Sequence, residues 1–589
     1  MTMDPSDWPV SEVDDYLGRG AGERRLVAGT GTAETAMVVG STGPFSQLVG
    51  RKALAAGGTA TDAVVATSLA QIALAAGGWV SYAGIFSLIH YTAATGKIDS
   101  LSGGFQPFAA ETDPASIPRR PAPSGRTALV PGFMAGVAAA HQRFGALPWA
   151  DLLQPSIYLA EQGFPVRSGQ QRQFDLRADV LARTSEGRDI FIRDGKPPRE
   201  GEVFRQPALA ASLRALAAEG VAWMYEGPWA REFVEVVGRE GGHVSLQDVA
   251  SYQPIWSDPV STDVYGHQVF AVGQPDRGGV ALLAGLNLVE AAEIADPVTD
   301  PDALYWLIQI ARQTVRTGSD LEREISKEHA RERWQRMRAA GGPAGPVGSE
   351  SGGHSDFVLA VDAAGNVAAA CHSINTSLWG STGLFVGGIS IPDAACFQQQ
   401  VLAALPPGAH LPFPTNPAIA FRHGRPVLAS SSIGAGLGSS TLQCVHAVLA
   451  LGAGVDEAAG RPLVHGPDYL VGDSVNAPVA DSFQRTAERI NGPGVGAGWM
   501  AAVRKARDAA VPRDQVWAAV MAEIPQVVDD RFGPEVLAGV EKLGLKTSAR
   551  SVDDPTVPRG YWGGIAISES APRLTGARTP FLPGEVEGL

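Results

Sequence analysis

The chain has 589 residues, 45% of them hydrophobic, enough to bury a large core or two halves sharing one. Its 47 Lys+Arg against 61 Asp+Glu give a formal charge of −14, which excludes the basic footprint of a nucleic-acid binder and any attraction to an anionic membrane surface. Three cysteines without CxxC spacing argue against a zinc or iron–sulfur site and against a disulfide framework, and fit a reducing compartment.

The first twenty residues, MTMDPSDWPVSEVDDYLGRG, have no basic start and no apolar segment, so they do not read as a signal peptide and the expected compartment is the cytoplasm. A strand is expected at TAMVVGS (35–41). GGTATDAVVATSLAQIALA follows as a buried helix, with Asp62 near its start where the helix dipole favours an anion. Its apolar run is interrupted by Thr, Ser, Gln and Gly, which argues for a core helix over a membrane span. IFSLIHY (85–91) and GKIDSL read as neighbouring strands. Pro131 and Pro148 mark helix starts, and Gly145 and Gly163 mark helix ends. Helices continue to about Gly241. The strand YGHQVFAV then leads into a Gly-rich turn and a buried helix, GQPDRGGVALLAGLNLVEA. From Trp306 to Arg338 the pattern is helical and charged, a solvated helix face.

AAGGPAGPVGSESGGH (339–354) has no apolar period and reads as a flexible linker. The composition changes abruptly at Ser355: SDFVLAVDAAGNVAAACHSIN is a hairpin turning at Ala364, Gly365 and Asn366. Strands at PAIAFRHGRPVLASSS, a helix from about Ser439 and a last strand at GYWGGIAIS complete an α+β layered pattern with no βαβ nucleotide fingerprint.

Several of these segments, in this order, resemble the γ-glutamyltranspeptidase family of N-terminal nucleophile hydrolases. They are GGTATDAVVA, VPGFMAGVAAAHQRFGALPWADLLQPSIYLAEQGFPV, GQPDRGGVALLAGLNLVE, SDFVLAVDAAGNVAAACHSIN and SSSIGAGLGSSTLQ, so the resemblance runs from about Gly57 to the C-terminus. It implies a four-layer αββα sandwich, made as one chain that cuts itself before a Thr opening a strand. An ungapped match on Val361 and Asp362 puts Ser355 at that Thr. The cut would then lie between His354 and Ser355, with a large subunit of residues 1–354 and a small subunit of 355–589. A second register places His354 two positions after the nucleophile; it needs a two-residue insertion and leaves Gly353, which has no hydroxyl, at the nucleophile position.

A serine hydroxyl needs a base. Cutting before Ser355 supplies one on the same residue, an α-amino group with an unperturbed pKa of about 8. The resemblance assigns Ser373 and Asn375 to the support of nucleophile and substrate. It assigns the backbone N–H groups of Gly434 and Ala435 to the oxyanion hole, where a side chain is immaterial because the donor is main-chain. Each has a plainer reading: polar strand residues bonding nearby backbone, and an ordinary Gly-rich turn. No metal or organic cofactor is implied. The partners implied are a small-molecule substrate and the two subunits of one precursor, with a homo-oligomer left open.

The departures concern substrate reading. The Arg that the family uses for the γ-glutamyl α-carboxylate has no counterpart in KIDSLSGGFQPF; the acidic loop for the α-amino group is reduced to Asp393 in GGISIPDAACF; and a Ser pair is replaced by PFPTNP (412–417). A bidentate Arg clamp is not easily improvised. The substrate is therefore expected to be other than γ-glutamyl, with amide hydrolysis as the default. C–C bond hydrolysis of the kind assigned to relatives in 4-alkylproline antibiotic pathways (lincomycin and pyrrolobenzodiazepine types) is one alternative, and an inactive scaffold is another. Asp356, His372, Trp379 and Phe413, with Phe105, lie near the substituted motifs and are candidate substrate contacts. Arg277, in the Gly-rich turn, is either an anion contact or a surface cation.

Overall fold

The computed structural model describes residues 2–20, 27–119, 123–314, 320–342, 355–406, 408–434, 436–467, 525–551 and 559–589. His354, Ala435 and residues 343–353 of the expected linker lie outside them. Ala339 and Ala340 belong to the end of the helix Lys327–Ala340, which Gly341 closes in the left-handed region at φ 66°.

Two seven-stranded sheets form the centre. The first runs Val586–Gly588, Met37–Gly40, Ser355–Val361, Val367–Ser373, Ile85–Thr92, Lys97–Gly103, Ile255–Ser257 in spatial order. The second runs Gly29–Ala33, Leu574–Arg578, Gly560–Ile567, Arg425–Gly434, Ala418–Arg422, His267–Ala271, Val260–Val264. Every pairing within the two sheets is antiparallel.

Side-chain alternation along the strands sorts the core into three slabs. Val358, Ala360, Ala368 and Ala370 face one way, against helices Pro44–Ala55, Ala60–Leu74 and Phe133–Phe144. Phe357, Leu359, Val361 and Cys371 face the other way, against Ile419, Ala429, Ile433 and Ile565 of the second sheet. The second sheet's far face, with Val269, Ala420, Leu428 and Trp562, is covered by helices Gly278–Ala291, Pro301–Thr314 and Leu437–Leu449. Helix, sheet, sheet, helix is the four-layer arrangement expected.

The helix Ala60–Leu74 is buried on every side, which explains why its sequence lacks an apolar stripe. Thr59 and Asp62 form a capping box at its start, and Asp62 also accepts the Ala146 N–H at 2.8 Å. The hairpin turn is held by Asp362, which accepts the N–H groups of Ala364 and Asn366 at 3.0 Å and, across 302 residues, that of Ala60 at 2.9 Å.

The charged stretch is helical as expected, but its face is not solvated throughout. It comprises Pro301–Thr314, a short turn at Leu321–Glu324 and Lys327–Ala340. Arg312 and Arg333 are buried, because Gln526 accepts from Arg312 Nε at 3.0 Å and the Gln313 carbonyl accepts from Arg333 at 3.0 Å. Among the described residues, no helix is long and apolar enough to cross a membrane.

Leu359 is fully buried between the sheets. Leu359→Ala should lower the unfolding free energy by about 2–5 kcal/mol. The half-exposed Leu543→Ala should change it by no more than about 0.5 kcal/mol, both read by urea denaturation.

Candidate active site

Ser355 is the first residue of its strand and pairs with Ser373, the last residue of the neighbouring one. The pairing puts both side chains on the inter-sheet face. Ser355 Oγ donates to Ser373 Oγ at 2.9 Å, and Ser373 Oγ also accepts the Asn375 N–H at 2.9 Å. Asn375 adopts φ 50°, a left-handed conformation that asparagine tolerates better than most residues, and this turns its N–H back onto Ser373. Ser355 is half-buried and Ser373 is buried. Beneath them the chain at Gly84 passes so close that a Cβ there would lie 2.4 Å from the Ser373 carbonyl oxygen.

Gly434 ends its strand in the second sheet, and cross-sheet packing fixes which end of the sandwich that is. A Cβ on Gly576 would lie 2.6 Å from Met37 Sδ, with Met37 beside Val361 and Gly576 in line with Ile565 and Ala429. The Phe357 ring occupies the space above Gly563, which pairs with Ser431. Passing from Val361 to Phe357 to Ser355 therefore corresponds to passing from Ala429 to Ser431 to Gly434, and Ser355 and Gly434 share one end. Gly434 has φ 87°, and a Cβ there would lie 2.5 Å from the Arg559 carbonyl, so glycine is required. Gly436 caps the helix Leu437–Leu449, whose N-terminus lies at this end.

A polar knot not evident in the sequence anchors this loop. Ser432 Oγ donates to the Leu437 carbonyl at 2.7 Å and contacts Thr441, and Asn416 donates to Thr441 Oγ1 at 2.9 Å. This ties the PFPTNP segment to the Gly434 turn. The same segment packs on the Gly-rich turn before the helix Gly278–Ala291: a Cβ on Gly278 would meet the Pro414 and Thr415 carbonyls at 2.1 Å.

The remaining candidates separate by face. Phe105 and Phe413 meet edge-on, with ring centroids 5.9 Å apart, in an apolar cluster with Ile85, which pairs with Ser373. Through Ile85 this cluster lies next to the Ser373 end of the strand pair. Asp356 and His372, offered as substrate contacts, face the helical layer instead, because they alternate with Ser355 and Ser373. His372 bonds Gln71 Oε1 through Nε2 at 2.8 Å, and burial pushes its pKa down to about 3. Trp379 is likewise turned into the core, donating to the Ala76 carbonyl at 2.9 Å and packing on Phe174 and Phe191. Asp393 closes its own loop, accepting from Thr376 and from the Ser381 N–H at 2.8 Å. The Arg277 backbone N–H donates to the Phe413 carbonyl at 2.7 Å, so this residue is part of the contact between the two loops.

Sequence reading missed Asp276, fully buried between the sheets. Ser87 donates to it at 2.7 Å and Ser102 at 3.1 Å. Ser87 lies in the row Phe357, Cys371, Ser87, Ser102, one ladder step from the row of Ser355 and Ser373. Burial raises the Asp276 pKa to about 7, against the pull of the two hydroxyls and the Phe413 N–H. A charged residue inside a Gly-rich turn was the only signal available. Among the described residues, no group of three His, Cys, Asp or Glu side chains is placed to hold a metal ion.

Comparison with known proteins agrees with this architecture. Residues 46–512 match the family model for gamma-glutamyltranspeptidase. The chain belongs to the gamma-glutamyltranspeptidase family. It is an enzyme of the N-terminal nucleophile hydrolase class, an acylase-like and divergent member. It is 28% identical over 460 residues to the acylase ACY 1 proenzyme of Pseudomonas sp. (strain SE83), covering 72% of this chain and 81% of that one. The cephalosporin acylase from Bacillus halodurans superposes with a TM-score of 0.74 at 19% identity, over 95% of this chain and 97% of that one. The structure of LmbA2991HD superposes with a TM-score of 0.70 at 18% identity, over 94% and 97%. At these identities the two superpositions speak for the fold.

Gly84→Ala should push on the Ser373 carbonyl and destabilise the protein by about 1–3 kcal/mol, visible as a lower Tm. A carboxyl whose folded pKa is raised contributes stability that is present in full below its unfolded pKa, about 3.9, and lost as pH rises through the folded value. With Asp276 near 7, stability should fall between about pH 4 and 7, and Asp276→Asn should flatten that part of the Tm–pH curve.

Proposed function

We propose that this chain is a self-processing hydrolase whose nucleophile is Ser355, acting on a carbonyl of a substrate that is not γ-glutamyl. The observation that carries the reading is the Ser355–Ser373 hydroxyl contact at the head of a central strand, on the inter-sheet face and at the same end as Gly434. In the uncut chain, Ser355 Oγ attacks the His354 carbonyl carbon. The C–N bond breaks as the acyl group moves to oxygen, and water hydrolyses the ester, leaving a carboxylate on His354 and a free amine on Ser355. The large subunit is then 1–354 and the small one 355–589.

In turnover the Ser355 amine takes the proton of its own hydroxyl as Oγ adds to the substrate carbonyl. The N–H groups of Gly434 and Ala435 receive the oxyanion, and the proton passes to the leaving group. Water then releases the acyl group. The word "proenzyme" in the name of the Pseudomonas acylase is consistent with a precursor that is cut.

The substrate side rests on what lines this end. The strand Lys97–Gly103 carries no Arg, and its Ser102 hydroxyl is bound to the Asp276 carboxyl. A substrate α-carboxylate would find no guanidinium on this strand, and the nearby Phe105–Phe413 pair is apolar. An amide with an apolar acyl group suits the surroundings better.

On a denaturing gel, purified protein should give pieces of 354 and 235 residues, the smaller beginning Ser-Asp-Phe-Val-Leu, and Ser355→Ala should stay whole. A chromogenic γ-glutamyl anilide should turn over at background while apolar acyl anilides are cleaved. An intact band with no acylation of Ser355 would make the protein a scaffold, and products separated at a carbon–carbon bond would move the chemistry from amide hydrolysis.

A further inference from the structure

We infer that Asp356 is the positioning residue of Ser355, fixing it through Ser41 and Trp79; this rests on Ser355 being the nucleophile. The need for such a device is visible in the ladder. On one side, Ser355–Val361 is paired along its whole length, from Ser355↔Ser373 to Val361↔Val367. On the other side, the strand Met37–Gly40 pairs only from Val361 to Val358, so regular pairing stops three residues short of Ser355. The reactive end of the strand thus has one supported edge.

Ser41 makes up the missing support. Its N–H donates to the Phe357 carbonyl at 3.3 Å, and its Oγ accepts the Phe357 N–H at 2.9 Å. That leaves the Ser41 hydroxyl proton free to donate, and it goes to Asp356 Oδ1 at 2.7 Å. The other carboxyl oxygen, Oδ2, accepts the Trp79 indole N–H at 3.1 Å. Trp79 then reaches the second strand by its backbone, its carbonyl accepting the Ile374 N–H at 3.3 Å. Ile374 stands between Ser373 and Asn375, the two residues that meet at Ser373 Oγ beside Ser355.

The contacts close a ring: Ser355 to Ser373 on the inter-sheet face, and Asp356 to Trp79 to Ile374 on the helix face. Asp356 is fully buried and makes no ion pair among the described residues. A hydroxyl side chain at this position would have a single oxygen with which to meet both Ser41 and the indole. The carboxyl has one for each.

Asp356→Ala removes these two contacts and the hydrogen bond with the Thr42 side chain. Asp356→Asn keeps the first two, its carbonyl accepting from Trp79 and its amide donating to Ser41 Oγ. The test follows sulfonylation of Ser355 by a serine-reactive sulfonyl fluoride in the full chain, in which Oγ bonds to sulfur as fluoride leaves, separating the probe's binding constant from its bonding rate and checking the folded fraction by circular dichroism. Asp356→Ala should bond the probe about 10–100-fold more slowly with its binding constant unchanged, and Asp356→Asn should restore the rate to within about threefold of wild type. Trp79→Phe, which keeps the ring and loses the N–H, should fall between them. A wild-type rate in Asp356→Ala, or a loss that only tracks the folded fraction, would overturn the inference and leave the nucleophile standing. Equal losses in the Asn and Ala variants would overturn it too, by making charge and not geometry the cause. A probe found elsewhere than on Ser355 in wild-type protein would overturn the nucleophile reading and the inference together.

Discussion

Everything at the reactive end depends on how two sheets with no strand in common are packed face to face. Phe357 fills the space over Gly563, and Met37 fills that over Gly576. Glycine in the second sheet lets the first approach closely enough for aromatic and thioether side chains to seat between the sheets. These contacts set the sliding position of one sheet over the other. That position in turn decides that the strand opening at Ser355 and the strand closing at Gly434 come to the same edge. A shift by one ladder step would keep every hydrogen bond within each sheet and still part the hydroxyl from the loop proposed to receive the oxyanion.

Around this frame the molecule divides its polar groups by face. Toward the second sheet lie the serine pair and, one row away, a carboxyl in a ring of hydroxyls, Asp276 with Ser87 and Ser102. Toward the helices lie Asp356 and His372, each fully buried and each bonded to a neutral partner. Asp356 is held near pKa 7 by burial, against the opposing pull of Thr42, Ser41 and Trp79. Two buried carboxyls with no cation paired to them among the described residues are costly to keep ionised. Their hydroxyl and N–H partners show how the fold accommodates them without salt bridges.

Much of the fold was legible because the periodicities are clean and local. The hairpin from Ser355, the buried helix with its Thr59–Asp62 cap and the paired strands near residues 85–103 each carry their own signal. The hairpin's turn was legible, and the register that it sets brings Ser355 opposite Ser373. What escaped was contact over long sequence distance. Ser41 meets Asp356 across 315 residues, and nothing near Ser41 announces a partner. The face of a candidate also escaped wherever proximity in sequence was taken for proximity in space. Asp356 is adjacent to Ser355, and for that very reason a strand turns it to the opposite side. The buried Arg312 of the charged helical stretch misled for a similar cause: its acceptor, Gln526, comes from elsewhere in the chain.

The interleaving of the first sheet has a consequence for the life history of the protein. Strands from before and after residue 354 alternate there: Met37–Gly40 and Ile85–Thr92 enclose the Ser355–Ser373 hairpin, and Val586–Gly588 lies outside Met37–Gly40. A cut before Ser355 would leave the two pieces woven through one another, with no surface along which they could part short of unfolding. It would also convert the refolding of a single chain into the meeting of two. Maturation by such a cut is a ratchet: the weave is made once, by a connected chain, and thereafter it is conserved by the slowness of unfolding and not by the ease of reassembly.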